Sequence, residues 1–170
     1  MTFLAFDGVA ILRAAVPFLS LLVAPDSPQF AELGTAAVGV TVPSQWAPQV
    51  QYKPDFGPRP EDFAKIFRDK FGAEPGYHAA GGYAAGLVLQ QAIEKAGSLD
   101  TAKVADTLNA TDAVTFFGPI KFATDPAEHG LQVSHQVVIS QWQRGPEGKP
   151  AREVVWPETA GTKALVYPMR

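Results

Sequence analysis

The chain has no cysteine, which excludes disulfide scaffolds, thiolate metal sites and cysteine nucleophiles together. It is also sparing with charge. Its 14 Lys and Arg against 17 Asp and Glu leave a formal net charge of −3, with no run of like charge longer than a few residues. A nucleic-acid groove or an anionic membrane surface calls for a basic patch, so neither partner is expected. Long apolar runs are missing too. Thr2 to Ala24 comes nearest, but Asp7, Arg13 and Pro17 interrupt it, and a membrane helix needs an unbroken stretch of about 18 apolar residues or more. No basic segment opens it, so it reads poorly as a secretory signal. Direct membrane insertion is not expected.

Catalytic and metal-binding patterns are equally scarce. His78, His129 and His135 have no ligand spacing. Gly81-Gly82 lies inside a helical pattern with no following Lys-Ser/Thr, so it is no phosphate loop. No nucleophile elbow or paired carboxylates appear. The expectation is a chain that is not an enzyme and carries no cofactor.

What remains is an α/β pattern. Apolar residues make up 46% of 170 positions, enough for a core. Phe3 to Phe6 reads as a strand end, with Asp7 at a helix N-cap. Phe18 to Ala24 is a continuous apolar run, which suits a strand buried on both faces of a parallel sheet. Pro25 ends it, and Asp26 or Ser27 caps a helix with Pro28 in its first turn. Val38 to Val42 is a β-branched strand, and the Pro-rich stretch from Pro43 to Pro60 is irregular.

Helical spacing returns from Glu61 to Phe71, with Phe63, Ile66, Phe67 and Phe71 predicted to face inward and Gly72 to end the helix. Tyr77 to Ala96 is a long helix closed by Gly97. Its interior glycines, Gly81, Gly82 and Gly86, weaken it and predict close packing against another element. Asp100 caps a helix from Thr101 to Ala110. Phe116 to Phe122 reads as a short strand around a Gly118-Pro119 turn, Gln136 to Trp142 and Glu153 to Trp156 as further strands. Alternating strands and helices predict an α/β fold with a mostly parallel sheet and flanking helices.

The order of several segments resembles a known family. Glu74-Pro75-Gly76-Tyr77-His78-Ala79-Ala80-Gly81-Gly82-Tyr83-Ala84-Ala85-Gly86, Ala92-Ile93-Glu94-Lys95-Ala96-Gly97-Ser98-Leu99-Asp100 and Thr115-Phe116-Phe117-Gly118-Pro119-Ile120-Lys121-Phe122, followed by Gln141-Trp142 and Val155-Trp156-Pro157, are similar to segments of the Leu/Ile/Val-binding proteins of ABC importers. The resemblance implies a two-lobed type I periplasmic-binding-protein fold of which this chain is the C-terminal half. By the same analogy residues 1–75 and 133–144 belong to the second lobe, 76–125 to the first, and 145–170 to a C-terminal strand and tail. A departure lies between Phe6 and Phe18, where the family usually has a longer helix and loop.

The resemblance also implies a function: the substrate-binding component of an ABC importer for amino acids of the branched-chain type, binding a small-molecule ligand in an interlobe cleft and delivering it to a membrane permease, in the periplasm or at the cell surface. Asp26 falls where the family's second lobe supplies an acid for the ligand's ammonium group; capping the next helix is its other reading. Phe6 is placed to stack on a ligand or to pack in the core, and Gln45 and Trp46, past a strand's end, to line the cleft or anchor the loop. Two other readings of the same fold are a sensory ligand-binding domain and a truncated, nonfunctional remnant.

Overall fold

The computed structural model describes residues 16–169. Phe6 and the strand end at Phe3 to Phe6, with the cap at Asp7, lie outside the described residues. The fold is α/β. The chain divides into two compact units, one made of residues up to Gln49 together with those from Val137 onward, the other of Val50–Gln136.

The first unit is built on a sheet of β1 (Thr41–Ser44), β4 (Val138–Arg144) and β5 (Pro150–Trp156), in the order β1-β4-β5. Both pairings are antiparallel, contrary to the mostly parallel sheet expected. The reason is local. β4 and β5 are joined by the tight turn Gly145–Lys149, closed by the Gly145 amide donating to the Lys149 carbonyl at 2.8 Å, and a short turn can only return the chain antiparallel. Among the described residues the one parallel pairing is a bridge between Ser20 and Thr41.

That bridge is all that forms of the strand expected over Phe18 to Ala24. Val23 takes φ +67°, a region that β-branched residues avoid, and the chain turns out of the sheet into a 3-10 turn at Ala24–Asp26. Leu22 and Val23 are therefore 73% and 83% exposed. Leu19 and Leu21 still pack on the core of Phe30, Ala37, Val40 and Trp142. Phe30 comes from the helical segment Pro28–Ala36, which is 3-10 in type, is kinked at Gly34 and has Ser27 accepting from the Gln29 amide as its cap. Gly39 follows at φ +92°, where a Cβ would come within 2.6 Å of the Met169 side chain. Only glycine fits there.

The second unit holds three helices and a hairpin. Helix α1 (Pro60–Phe71) opens on proline, has Glu61 and Asp62 in its first turn and Arg68 and Lys70 in its last, and ends on Gly72 at φ +69°. Each feature answers the helix dipole or the unpaired groups at its ends. Phe63 is buried, whereas Ile66 and Phe71, expected inside, are each 60% exposed. Phe63 instead gathers the aromatic core, with ring centroids 4.5 Å from Phe116 and 5.2 Å from Tyr83.

Helix α2 (Tyr77–Ala96) buries Ala80, Ala84, Val88 and Ala92, a row at four-residue spacing, and ends on Gly97 at φ +58°. The close packing expected at its glycines does not occur among the described residues: a Cβ on Gly82 or Gly86 would meet nothing within 4 Å, and one on Gly81 only the Phe117 ring. Helix α3 (Thr101–Asn109) is capped by the Asp100 carboxylate, which accepts from the Lys103 amide at 3.1 Å. The segment read as a strand at Phe116 to Phe122 is the second half of a hairpin, β2 (Asp112–Thr115) with β3 (Gly118–Lys121). Its turn is Phe116-Phe117, not Gly118-Pro119, and is fastened by Thr115 Oγ1 donating to Gly118 O and accepting from the Phe117 amide. The Pro-rich stretch is irregular, as expected. Asp55 stitches it to the hairpin by donating its amide to Val114 O at 2.8 Å and accepting the Val114 amide at 2.7 Å.

Candidate functional site

Trp142 on β4 and Arg152 on β5 are register partners. Directly opposed residues in antiparallel strands share a face, and both side chains reach the turn at Ala24–Asp26. The Trp142 indole N–H donates to Pro25 O at 2.9 Å in a buried site. Arg152 Nη1 donates to Asp26 O at 2.7 Å and to Asp26 Oδ1 at 2.8 Å. Asp26 is thus held by an ion pair with both side chains largely covered, 11% exposed for Arg152 and 20% for Asp26. Asp26 Oδ2 makes no hydrogen bond within the described residues.

This placement decides the capping question for Asp26 in favour of Ser27, whose hydroxyl takes the N-cap position. It leaves Asp26 as a carboxylate fixed in orientation by an arginine, beside a residue in a strained conformation at Val23. Such strain, worth about 1–3 kcal/mol, persists only where the surroundings impose it. Gln45 is exposed, while Trp46 is 1% exposed and its carbonyl accepts from Ser44 Oγ at 3.0 Å. Asp26 is joined by no hydrogen bond to either residue.

Sequence reasoning overlooked Arg152 because the last strand was read as starting at Glu153. The signal available was the alternation of the strand: with β5 extended back to Pro150, Arg152 falls opposite Trp142. It also overlooked two buried amides on β4. Gln141, fully buried, donates from Nε2 to Gly39 O and Val166 O and accepts the Val166 amide. Gln143 donates to Gln141 Oε1 and to Ala164 O. These side chains fasten residues 164–166 to β4, the central strand of the sheet.

Glu153 secures the start of that strap. Its Oε2 accepts from Thr162 Oγ1 at 2.6 Å and its Oε1 pairs with Lys163 Nζ at 2.7 Å. Burial pushes the Glu153 carboxyl up, but the hydrogen bonds from Lys163 and Thr162 and the lysine's charge outweigh it and hold the group below its ordinary value. In the second unit burial alone pushes the Tyr52 phenol up. Among the described residues no group of three or more His, Asp or Glu side chains is placed to hold a metal ion, and no helix is long and apolar enough to cross a membrane.

The family model for periplasmic binding proteins matches residues 12–148. The chain belongs to that family. Among solved structures it is similar to the leucine binding protein LivK from Thermotoga maritima, with 24% identity and a TM-score of 0.54, covering 90% of this chain and 43% of that one. It is also similar to a Rhodospirillum rubrum protein assigned as a branched-chain amino acid ABC transporter, with 25% identity and a TM-score of 0.63 over 86% of this chain and 40% of that one. A periplasmic binding protein from Burkholderia mallei matches at 18% identity and a TM-score of 0.53, covering 74% of this chain and 32% of that one. This periplasmic-binding-protein chain therefore spans less than half the length of each of these structures.

Proposed function

We propose that the chain is the C-terminal half of the substrate-binding component of an ABC importer for amino acids of the branched-chain type, acting in the periplasm or at the cell surface and passing its ligand to a membrane permease. The observation that carries this reading is the match to the Rhodospirillum rubrum protein, at a TM-score of 0.63 over 86% of the chain. In this reading the two compact units contribute one part to each lobe of the complete receptor.

Asp26 is the residue assigned to the ligand's ammonium group. Arg152 occupies one carboxylate oxygen, and the other is the acceptor offered to the ligand. The arrangement suits that task because a carboxylate already oriented by a guanidinium loses little freedom on binding. Gln45, exposed at the end of β1, is the second polar group assigned to the ligand. Trp46, deeply covered, supports the loop that carries it.

A receptor half holds only part of the groups that an amino acid needs: donors for the carboxylate, an acceptor for the ammonium and a cover for the side chain. Equilibrium dialysis of the chain against labelled leucine, isoleucine and valine is the test. No retention up to millimolar ligand is the expected result, and retention at micromolar concentration by the chain alone would refute the half-receptor reading.

A further inference from the structure

The sheet of the first unit has a second face, and a cavity lies on it. Successive side chains of a strand point to opposite faces. Trp142 and Arg152, which reach the turn at Asp26, therefore occupy one face, while Thr41, Gln141 and Glu153, themselves in register across the three strands, occupy the other. Ile139 shares that second face, and at the register shift beside it both Val155 and Trp156 turn the same way. Thr41, Ile139 and Val155 line a cavity of about 660 Å³ there, within the range of roughly 300–1,000 Å³ typical of small-molecule sites. Every residue lining it belongs to the first unit.

The opposite wall is the strap that follows β5. Glu153 holds Thr162 at 2.6 Å and Lys163 at 2.7 Å, Gln143 holds the Ala164 carbonyl, and Gln141 holds Val166 through both its amide and its carbonyl. The wall therefore stands without a ligand, and a cavity formed in advance costs a ligand little ordering. Most of this cavity also lies outside the segment that the family shares: the family match ends at residue 148, whereas Val155, Trp156, Glu158 and the strap come after it.

The lining sets the ligand's chemistry. Phe18 and Trp156 line the cavity with rings 44% and 50% exposed, and Leu165 adds an aliphatic surface. Glu158 is exposed at the rim and has no ion-pair partner among the described residues. Lys163, the cation of the lining, is already neutralised by Glu153. One negative charge is thus left over, beside aromatic faces that themselves attract cations. An anion would meet Glu158 and find the lysine engaged.

We propose that this cavity is a second binding site, taking a small molecule with an aromatic or aliphatic body and a single ammonium group. The body lies against Phe18, Trp156 and Ile139, and the ammonium meets Glu158. The site is separate from Asp26, on the other face of the sheet, and does not depend on the half-receptor reading.

The test is a heteronuclear NMR titration of the full chain with 2-phenylethylamine, and with phenylacetate as an anion of similar body. The amine is expected to saturate with a dissociation constant of about 1 mM or tighter. It should shift the Trp156 indole N–H and the amides of residues 158–165, leaving the Trp142 indole and the Asp26 amide unmoved. Glu158→Gln, at an exposed position, weakens binding about fivefold, and Trp156→Leu, which removes the aromatic face, weakens it by about as much. No saturable shift at about ten times that concentration, phenylacetate binding as tightly as the amine, or binding indifferent to Glu158→Gln would overturn the proposal. Shifts centred on the Asp26 amide and the Trp142 indole would overturn it too, by placing the amine on the other face.

Discussion

Replacing Asp26 by alanine removes the carboxylate that Arg152 holds at 2.8 Å and keeps the main-chain carbonyl of residue 26, which Arg152 also holds, at 2.7 Å. The cost follows from burial. Exposed ion pairs contribute about 0–1 kcal/mol, whereas stripping one partner from a fully buried pair costs about 3–5 kcal/mol. With side chains 11% and 20% exposed, this pair falls between, and a loss of about 2–3 kcal/mol is expected. For a chain of this size that lowers the thermal midpoint by about 5–10 °C. All three tryptophans, Trp46, Trp142 and Trp156, lie in the unit that contains the pair, so tryptophan fluorescence reports its unfolding directly. The double variant Asp26→Ala/Arg152→Met is expected to recover much of the loss, because the largely buried guanidinium that lost its carboxylate is then removed as well. An Asp26→Ala midpoint within about 1 °C of the parent's, corresponding to well under 1 kcal/mol, would refute the view that the pair fixes this turn.

Three other outcomes are expected. Gln141→Leu removes the amide bonds to Gly39 and Val166 and costs roughly 2–4 kcal/mol at about 1 kcal/mol per bond plus the stranded groups; limited proteolysis at Lys163 should accelerate, and unchanged cleavage would contradict the strap's dependence on Gln141. Because the folded Glu153 carboxyl lies below its ordinary value near 4.5, its contribution is fully present above that pH and is lost as pH falls through the depressed value. Hydrogen exchange of residues 162–166 should rise in that acidic window, and Glu153→Gln should remove the pH step. Thr115→Val removes both bonds that fasten the Phe116-Phe117 turn and should lower stability by about 1–2 kcal/mol in urea unfolding, with no change indicating that the turn is held by its aromatic packing alone.

The helices were legible in the sequence because their signals are local. Asp100 caps α3, Gly72 and Gly97 close α1 and α2, and each acts within a turn of the residues that reveal it. The strands were less so, since pairing joins residues far apart. Phe18 to Ala24 has the composition of a buried strand, but the backbone at Val23 turns away after one bridge. The inward faces of α1 were misjudged for a related reason: periodicity marks an apolar side, while only neighbours decide that Phe63 is covered and Ile66 is not.

The candidate site was legible in part. Asp26 stands out by its place after an apolar run, yet its partner Arg152 is 126 residues away and no spacing rule connects them. Gln141 and Gln143 could have been flagged as polar residues inside an apolar strand, since buried amides must find partners. The strap they hold becomes visible only when residues 164–166 are seen beside them.

The proposed role of this chain is half of an amino-acid receptor. Its most direct test is the thermal midpoint of the Rhodospirillum rubrum protein with its matched segment replaced by this chain, measured with and without leucine, isoleucine and valine. Ligand at 100 times its dissociation constant stabilises the folded state by about 2.7 kcal/mol, so a raised midpoint is expected with at least one of them. Asp26→Ala should reduce that rise. A chimera that unfolds cooperatively but whose midpoint none of these amino acids moves would contradict the claim.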